Sequence, residues 1–275
     1  QKQFYQKNKI PTARFQIFGS KEELKDAVVR GFISFPFVWK SESMGYDGYG
    51  VKIVRSNQDL EDISPNACLA EELINIDKEI SVILCRSPKG EIKNYPSVEM
   101  EFHPEANQVE YVLSPAGISK KIAKRAEQIA FSVSNAFKHV GLLAVELFLT
   151  NEGDMLVNEV APRPHNSGHY TIEGSFTSQF EQHIRAILDM PLGDTSNKVA
   201  SVMVNLVGKE GNKGPVYYKN IEHILAIEGV NPHIYGKKET RPYRKMGHIT
   251  IINKDLKLAR KIAEQVKETI EVISK

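Results

Sequence analysis

The sequence predicts an α/β (α+β) protein in which a mixed or antiparallel core sheet with helices is joined to a lid subdomain and a small β-rich C-terminal domain. An apolar stripe at helical spacing follows Ser119, and alternating apolar runs on either side of it predict strands. The polar, turn-rich stretch 191–198 separates two apolar segments and reads as a linker. We therefore expect domains at residues 1–74, 75–193 and 194–275.

The composition argues against several classes of protein. Of the 275 residues, 41% are hydrophobic and 25% are charged, which is ordinary for a folded protein. A net charge of +2 is too small to indicate nucleic-acid or membrane binding, and no apolar run reaches the ~18 residues of a membrane span. Cys68 and Cys85 lack CxxC spacing, so we expect buried free thiols in a cytoplasmic protein.

The start of the chain predicts two helical segments. Residues 1–8 have the pattern of the middle or end of a helix without an N-cap, and the chain begins with Gln rather than Met. We therefore expect that an N-terminal segment is missing. Ser20 and Glu23 then form a capping box for a helix that we expect to end at Gly31.

A glycine-rich loop, residues 44–50, joins two predicted strands, 36–40 and 51–54, and Lys40 ends the first of them. Phosphate loops of the Walker and Rossmann types run from a strand into a helix, so neither type applies here. A hairpin tip with three glycines can fold its backbone N–H groups over phosphates, with Lys40 as a point charge. The alternative is a flexible turn beside a solvated lysine.

Two further predicted strands, 67–74 and 76–85, carry acids. The first contains the adjacent Glu71 and Glu72, and the second sets Glu79 among apolar neighbours. An acid at such a position is either part of a site or an outward residue on the wet face of an antiparallel strand. The pattern leaves both interpretations open.

The stretch 143–168 follows a helix that we expect to end at Gly141, and it predicts two apolar strands joined by the turn 151–154. This hairpin would place Glu146 directly across from Glu159. Facing carboxylates in an apolar setting repel each other, so the pair calls for a cation between them. Hard oxygen ligands suit Mg²⁺ or Mn²⁺, and the chemistry most often run over such a metal involves phosphate.

An irregular loop, residues 161–169, follows this hairpin, since its prolines and glycine exclude regular structure. It carries Arg163, His165 and Asn166, which are side chains that bind anions, although such a loop could also be plain turn material. The next helix, 176–188, is expected to turn four apolar side chains inward: Phe180, Ile184, Ile187 and Leu188.

Beyond the linker, the sequence predicts a small sheet, a basic run and a last helix. The basic run extends from Lys237 to Lys245. The expected strands are 200–207, 223–226, 233–235 and 247–252, and the expected amphipathic helix is 256–273.

A strand-end lysine, a glycine hairpin, an acidic pair, an isolated strand glutamate and a carboxylate hairpin, in this order, resemble the ATP-grasp superfamily. In that superfamily the nucleotide lies between a lid sheet with the glycine loop and a core sheet with the metal carboxylates. The resemblance narrows at GYDGYG (45–50), NEVAPRPHNSGH (158–169) with SQFEQHIRAIL (178–188), and YGKKETRPYRKMGH (235–248). These motifs are similar to those of the 5-(carboxyamino)imidazole ribonucleotide synthetase family, which uses ATP and bicarbonate to carboxylate aminoimidazole ribonucleotide.

The resemblance implies an ATP-grasp fold and an ATP-dependent ligase of purine biosynthesis that acts through carboxyphosphate. ATP and Mg²⁺, with Mn²⁺ as an alternative, would be the cofactors. The residues implied to bind ATP are Lys40, Gly45, Gly48, Gly50, Glu71, Glu72, Ile74 and Glu79. The implied metal ligands are Glu146 and Glu159, the implied catalytic residues are Arg163, His165, Asn166 and Lys237, and the implied contacts to aminoimidazole ribonucleotide are Tyr46, Asp47 and Arg244.

Several points depart from the family pattern or stay open. Tyr49 stands where the family has Arg in the glycine loop, and Lys238 beside Lys237 leaves the choice of lysine open. The family begins with a Rossmann-like domain of about a hundred residues, which we expect to be absent here. A homodimer is implied by the family alone. The rival interpretations are another ATP-grasp ligase or a biotin-dependent carboxylase, and a nucleotide-binding module that is inactive as a fragment.

Overall fold

Three β-sheets and the helices packed on them make up the regular structure of residues 1–42, 50–104 and 108–275, the part of the chain that this computed structural model describes. The helices are α1 (Lys2–Lys7), α2 (Lys21–Val29), α3 (Asn57–Glu61), α4 (Lys120–Phe137), α5 (Thr171–Gly174), α6 (Gln179–Ile187), α7 (Ile221–Leu225) and α8 (Leu256–Thr269). The strands are β1 (Phe15–Phe18), β2 (Phe37–Ser41), β3 (Val51–Val54), β4 (Cys68–Glu72), β5 (Ile76–Arg86), β6 (Ile92–Asn94), β7 (Val98–Phe102), β8 (Val109–Ser114), β9 (Gly141–Thr150), β10 (Met155–Ala161), β11 (Ala200–Val207), β12 (Gly214–Lys219), β13 (Val230–Ile234), β14 (Glu239–Thr240), β15 (Lys245–Asn253) and β16 (Glu271–Ser274).

The first sheet, which we call the lid sheet, has the antiparallel strand order β1-β4-β2-β3. Helices α2 and α3 share an apolar core with it that includes Trp39. Ser20 Oγ accepts from the Glu23 N–H and caps α2, as predicted. The Glu23 carboxylate reaches back to the Gly19 N–H at 2.7 Å, one residue before the cap.

The second sheet, the core sheet, has the strand order β10-β9-β5-β7-β8-β11-β15-β13, with β6 paired to β5. Helix α4 packs on one face of β5, β9 and β10, and α6 packs on the opposite face of β5 and β9. Along β5, Val82 and Leu84 face α4, whereas Ile83 and Cys85 face the α6 side. Helix α8 covers β8, β11 and β15.

The core sheet is continuous across the linker, because β8 pairs with β11 and Leu113 lies opposite Val202. A third, small sheet has the order β14-β12-β16. The division of the chain at residues 74 and 193 stays a prediction. Cys68 and Cys85 are buried free thiols, as predicted. No helix in the described ranges combines the length and the apolar character needed to cross a membrane.

Helix α4 is capped by Ser119, as predicted, but it ends earlier than expected. Lys138 follows it in the left-handed conformation at φ 52°. Gly141, which we expected to end the helix, is instead the first residue of β9 at φ 94°. A Cβ there would lie 2.7 Å from the His183 ring, so this close approach needs a glycine.

The expected inward face of the helix after the loop is wrong. Helix α6 begins at Gln179, and its buried residues are Gln179, Gln182 and Ala186. Both glutamines bind backbone groups of neighbouring loops, so polar side chains occupy the inner face. The four apolar side chains expected to point inward are between 41% and 63% exposed: Phe180, Ile184, Ile187 and Leu188.

Two predictions for the C-terminal part are also wrong. Residues 223–226, expected as a strand, lie in and directly after α7, which packs on α8. The expected last helix, 256–273, stops at the end of α8, and the chain continues as β16. Ile270 and Val272 are both buried, and this period of two fits a strand that pairs with β12.

Candidate active site

A β-bulge in the hairpin of β9 and β10 brings three polar side chains together. The register of this pair shifts by one residue between Val157 and Val160. Two residues of β10, Asn158 and Glu159, therefore lie opposite Glu146 of β9. The bulge lets an amide and a carboxylate face the same buried acid.

Glu79 lies on the same face of the core sheet, because Ser81 pairs with Glu146 and Glu79 is two residues before it in β5. Burial, followed by the charges of Glu159 and Glu79, raises the pKa of Glu146 to about 8. Burial likewise raises the pKa of Glu79 to about 7, although Lys40 acts in the opposite direction. We call Glu79, Glu146 and Glu159 the acidic face.

The acidic face could hold a divalent metal ion through Glu146 and Glu159. No group of three or more His, Cys, Asp or Glu residues with metal-site geometry occurs in the described ranges. The protein would therefore supply only part of the coordination shell, which is usual for Mg²⁺ bound with phosphate and water. The raised pKa of Glu146 fits such a site, since a bound cation would favour its ionised form.

Lys40 connects the lid sheet to the core sheet. Its Nζ lies 3.0 Å from Glu71 Oε2 and donates to Asn158 Oδ1 at 2.9 Å. Glu71 is 3% exposed, and its second oxygen lies 3.1 Å from Lys2 Nζ. Burial lowers the pKa of Lys2, and the Glu71 charge opposes this effect. Two lysines thus surround one buried carboxylate beside the acidic face.

The other residues implied to bind ATP belong to the lid sheet and the connection after it. Glu72 Oε2 lies 2.5 Å from Arg14 Nε, and Ile74 is half-buried between β4 and β5. Gly50 has φ 84°, and its carbonyl accepts from the Ser41 N–H at 2.8 Å at the end of the hairpin of β2 and β3. Several residues expected in the site lie outside the described residues: Gly45, Tyr46, Asp47 and Gly48.

The loop after β10 places His165 at the acidic face. Its Nε2 lies 3.2 Å from Glu146 Oε1. Its Nδ1 lies 2.8 Å from Ser167 Oγ and accepts from the Ser167 N–H at 3.3 Å, and Ser167 Oγ is 2.8 Å from Ser81 Oγ. Because a backbone N–H can only donate, Nδ1 is the acceptor and the ring proton lies on Nε2, towards Glu146.

Arg163 and Asn166, the other loop residues expected in the site, have different surroundings. Arg163 is exposed, donates from Nη1 to Pro164 O at 3.0 Å, and favours the ionised form of Glu146. Asn166 forms a carboxamide pair with Asn205 of β11, in which the Nδ2 of each donates to the Oδ1 of the other at 2.8 and 2.9 Å. These two hydrogen bonds therefore hold the loop against β11.

The two candidate lysines of the basic run differ in burial. Lys237 is half-buried, and its Nζ donates to Lys245 O at 2.5 Å, whereas Lys238 is exposed. Arg244 is half-buried and donates from Nη1 to Glu239 O at 2.8 Å.

Sequence reasoning missed three residues of this cluster. Lys2 and Asn158 contact the Lys40–Glu71 pair, and Lys245 favours the ionised form of Glu146. The spacing of β10 concealed Asn158, because only the bulge turns it towards the acids. Lys245 was named only as the end of a basic run.

A cavity of about 420 Å³ lies away from the acidic face, at the ends of β11 and α8. Asn205, His103 and Tyr243 are among its lining residues, and no carboxylate of the acidic face lines it. Its lining residue Asn205 pairs with Asn166 of the candidate site. The acidic face, which collects the charged groups, is the better candidate for catalysis.

Comparison with known proteins decides the family. The ATP-grasp domain family model matches residues 3–180, and the model of the phosphoribosylaminoimidazole carboxylase C-terminal domain matches residues 201–262. The crystal structure of N5-carboxyaminoimidazole ribonucleotide synthetase from Thermotoga maritima is 45% identical with a TM-score of 0.89, over 100% of this chain and 71% of that chain. This chain belongs to the N5-carboxyaminoimidazole ribonucleotide synthetase family.

Other members of the synthetase family agree with this assignment. The N5-carboxyaminoimidazole ribonucleotide synthase of Bacillus subtilis is 40% identical over 245 residues, which are 87% of this chain and 62% of the relative. The synthase from Aspergillus clavatus, solved in complex with ADP and 5-aminoimidazole ribonucleotide, has a TM-score of 0.86 at 30% identity over 97% of this chain and 71% of that one. The chain spans about three fifths of the length of the synthases from Bacillus subtilis and Synechocystis sp., and less than half of the phosphoribosylaminoimidazole carboxylases from Candida glabrata and Vigna aconitifolia. The predicted ATP-grasp fold with a C-terminal domain is confirmed.

Proposed function

We propose that the protein catalyses the ATP- and bicarbonate-dependent carboxylation of 5-aminoimidazole ribonucleotide to 5-(carboxyamino)imidazole ribonucleotide, with ADP and phosphate as the other products. The observation that carries the proposal is the contact of His165 Nε2 with Glu146 at 3.2 Å. This contact links two regions. The acidic face is suited to binding a metal–nucleotide complex, and the loop 161–169 is suited to binding anions. The solved relative that holds ADP and 5-aminoimidazole ribonucleotide supports the choice of substrates.

ATP would bind between the lid sheet and the core sheet, where Lys40 already spans the two sheets. Lys40 and the glycine loop would hold the phosphates, and Glu79 would bind the ribose hydroxyls. Glu71, Glu72 and Ile74 would lie beside the adenine. Mg²⁺ or Mn²⁺ held by Glu146 and Glu159 would supply charge neutralisation at the phosphates.

Bicarbonate would be held near the γ-phosphate by Arg163 and His165, with Asn166 and Lys237 as further contacts. A bicarbonate oxygen attacks the γ-phosphorus, and the bond from that phosphorus to ADP breaks, which gives carboxyphosphate. Positioned cations favour this step because negative charge builds up on the transferred group.

The exocyclic amine of the aminoimidazole then attacks the carboxyphosphate carbon. The bond from carbon to the phosphate oxygen breaks, and the departing phosphate takes the amine proton. Tyr46, Asp47 and Arg244 would face the aminoimidazole nucleotide during this transfer. Carboxyphosphate is labile in water, so closure of the lid over the site should precede it.

Phosphate release from ATP, measured with each component left out in turn, tests this function. We expect release to require Mg²⁺, bicarbonate and 5-aminoimidazole ribonucleotide together, and ¹³C-bicarbonate to appear in the product by NMR. Release that is equal without the aminoimidazole nucleotide and bicarbonate would contradict the proposal. Phosphate release that depends on biotin instead of 5-aminoimidazole ribonucleotide would indicate a biotin-dependent carboxylase.

A homodimer and a cytoplasmic location complete the proposal. The homodimer rests on the family alone, and the cytoplasmic location is supported by the buried free thiols of Cys68 and Cys85. Light scattering of the purified protein tests the first, and fractionation of the source cells tests the second. The similar relative from Vigna aconitifolia is named as chloroplastic, so location varies within these relatives.

A further inference from the structure

The side chain of Gln179 holds the backbone of His165 at two points. Its Oε1 accepts from the His165 N–H at 2.9 Å, and its Nε2 donates to His165 O at 2.8 Å. These contacts fix the orientation of the carboxamide, since the N–H can only donate and the C=O can only accept. Gln179 is fully buried at the first position of α6, so these two hydrogen bonds, which we call the clamp, are shielded from water.

The second hydrogen of Gln179 Nε2 reaches His169 Nδ1 at 3.0 Å. Nδ1 of His169 is therefore an acceptor, and its ring proton lies on Nε2. The His169 ring stacks on His248, with 4.6 Å between ring centroids and 22° between planes, and also on Phe180 at 5.7 Å. The clamp is thus connected through His169 to a stack of rings, which we call the column.

This column connects the loop to the basic run. His248 stacks at 4.5 Å on its cross-strand partner His233, and its Nδ1 lies 2.9 Å from Tyr235 Oη. Burial lowers the pKa of His169 to about 4 and that of His248 to about 2, so both rings are neutral near pH 7. Neutral stacked rings can set a distance between two segments without adding charge to the site.

We infer that Gln179 and His169 are positioning residues for the carboxylation: they hold His165, and with it Arg163, in a fixed place relative to Glu146 and the basic run. The inference rests on the proposed function. Close packing supports it, because a Cβ at Gly168 would lie 2.5 Å from Gln179 Oε1. The loop therefore has little room to shift along the clamp.

Gln182 is a matched control in the same helix. It is also fully buried, and its carboxamide holds the backbone of Gly193 in the same way. Its Oε1 accepts from the Gly193 N–H at 2.8 Å, and its Nε2 donates to Gly193 O at 3.1 Å. Gly193 lies in the linker and not in the candidate site.

The variants Gln179→Met and Gln182→Met each remove one hydrogen bond from a backbone N–H and one to a backbone C=O, with the same change of shape. Gln179→Met also removes the hydrogen bond to His169 Nδ1. We expect similar decreases in Tm, because each variant leaves a backbone N–H and C=O without a side-chain partner. For bicarbonate-dependent phosphate release we expect kcat to fall about 10- to 100-fold in Gln179→Met and less than about 3-fold in Gln182→Met. KM for ATP should stay within about 2-fold in both, since the clamp does not contact the nucleotide region.

The variant His169→Phe decides the matter if Gln179→Met does not fold. It keeps a ring in the column and removes the Nδ1 acceptor, so we expect kcat to fall about 5- to 10-fold at an unchanged KM for ATP. Equal losses of kcat in the two methionine variants, or full kcat in His169→Phe, would overturn the inference and leave the proposed function intact. Phosphate release by the unmodified protein that is independent of bicarbonate would contradict the proposed function, and the inference with it.

Discussion

Glu159 is the residue on which the metal part of the proposal depends. It is an exposed carboxylate at the bulge, opposite Glu146. The change Glu159→Gln removes a negative charge at almost constant shape, so ATP turnover should fall by more than about 100-fold. The free energy of unfolding should change by less than about 0.5 kcal/mol, as is usual for surface substitutions. Phosphate release and urea unfolding measure the two effects, and turnover within about 3-fold of the unmodified protein would argue against the metal assignment.

The neighbouring lysines of the basic run provide a paired prediction. Lys237 is half-buried with its Nζ on Lys245 O, whereas Lys238 is exposed. We expect Lys237→Ala to keep ATP binding and to lower carboxylation about 10- to 100-fold, because it removes a cation from the bicarbonate region. Lys238→Ala should stay within about 3-fold. Calorimetry with Mg·ATP and NMR of the product measure binding and turnover, and the reverse order of the two variants would move the role to Lys238.

Acids that lie in apolar strands of the candidate site could be predicted from the sequence, whereas Lys2, Lys245 and some neutral side chains could not. An acid such as Glu146 stands out in an apolar strand because burying it without a partner is costly. A buried glutamine carries no such signal, and Gln179 reads as an ordinary polar residue at a helix start. The role of Asn158 depends on a register shift that alternation does not reveal.

The loop between β10 and α5 supports a prediction about packing. A Cβ added to Gly168 would lie 2.4 Å from Ile83 Cδ1 and 2.5 Å from Gln179 Oε1, so the loop must move to admit alanine. Gly168→Ala should therefore lower the free energy of unfolding by about 1 to 3 kcal/mol. At Gly117 a Cβ would lie 3.2 Å from Glu99 Oε2, a flexible carboxylate end that can shift, so Gly117→Ala is the control. Equal stability of the two variants in urea unfolding would show that the loop is not tightly packed.

Helix periodicity predicted the existence of α6 but not its orientation. The apolar stripe that includes Phe180 and Ile184 faces outward, while Gln179 and Gln182 face the sheet. A stripe shows that a helix is amphipathic, and it does not show which face meets the core when polar side chains bind backbone groups there. The same limit applies to β16, since a short apolar run at a helix end fits both a turn of helix and a strand.

For the whole molecule, the stacked histidines predict a dependence of stability on pH. Burial, and then the neighbouring His169 and His233, lowers the pKa of His248 to about 2, against about 6.5 in an unfolded chain. Below about pH 6.5 the unfolded state binds protons that the folded state does not, so the free energy of unfolding should fall as the pH decreases towards 4. His169, whose pKa is lowered to about 4, acts in the same direction.

The variant His248→Phe isolates this effect. It keeps a ring in the column and removes one titrating group. Between pH 6.5 and pH 4.5, its free energy of unfolding should therefore decrease by about 2 kcal/mol less than that of the unmodified protein. The raised pKa values of Glu79 and Glu146 oppose the histidines, because in the absence of metal they reduce stability as the pH rises above about 4.5. Urea unfolding at several pH values measures the difference, and identical pH dependence in both proteins would contradict a neutral, buried His248.

At the scale of the whole chain, the sequence predicted the main core strands, the long helix α4 and the ATP-grasp type of fold, because these follow from local periodicity and specific motifs. It did not predict that the core sheet runs on through β8 and β11. Pairing of Leu113 with Val202 joins segments far apart in the chain, and no local pattern reports such a partner.

Transfer of oxygen from bicarbonate to phosphate tests the carboxyphosphate route most directly. With ¹⁸O-labelled bicarbonate, ATP, Mg²⁺ and 5-aminoimidazole ribonucleotide, attack of a bicarbonate oxygen on the γ-phosphorus leaves a labelled oxygen on the phosphate that is later released. We predict that each released phosphate carries one ¹⁸O atom from bicarbonate, as measured by ³¹P NMR. Released phosphate without label would mean that water attacks ATP, and it would contradict carboxylation through carboxyphosphate.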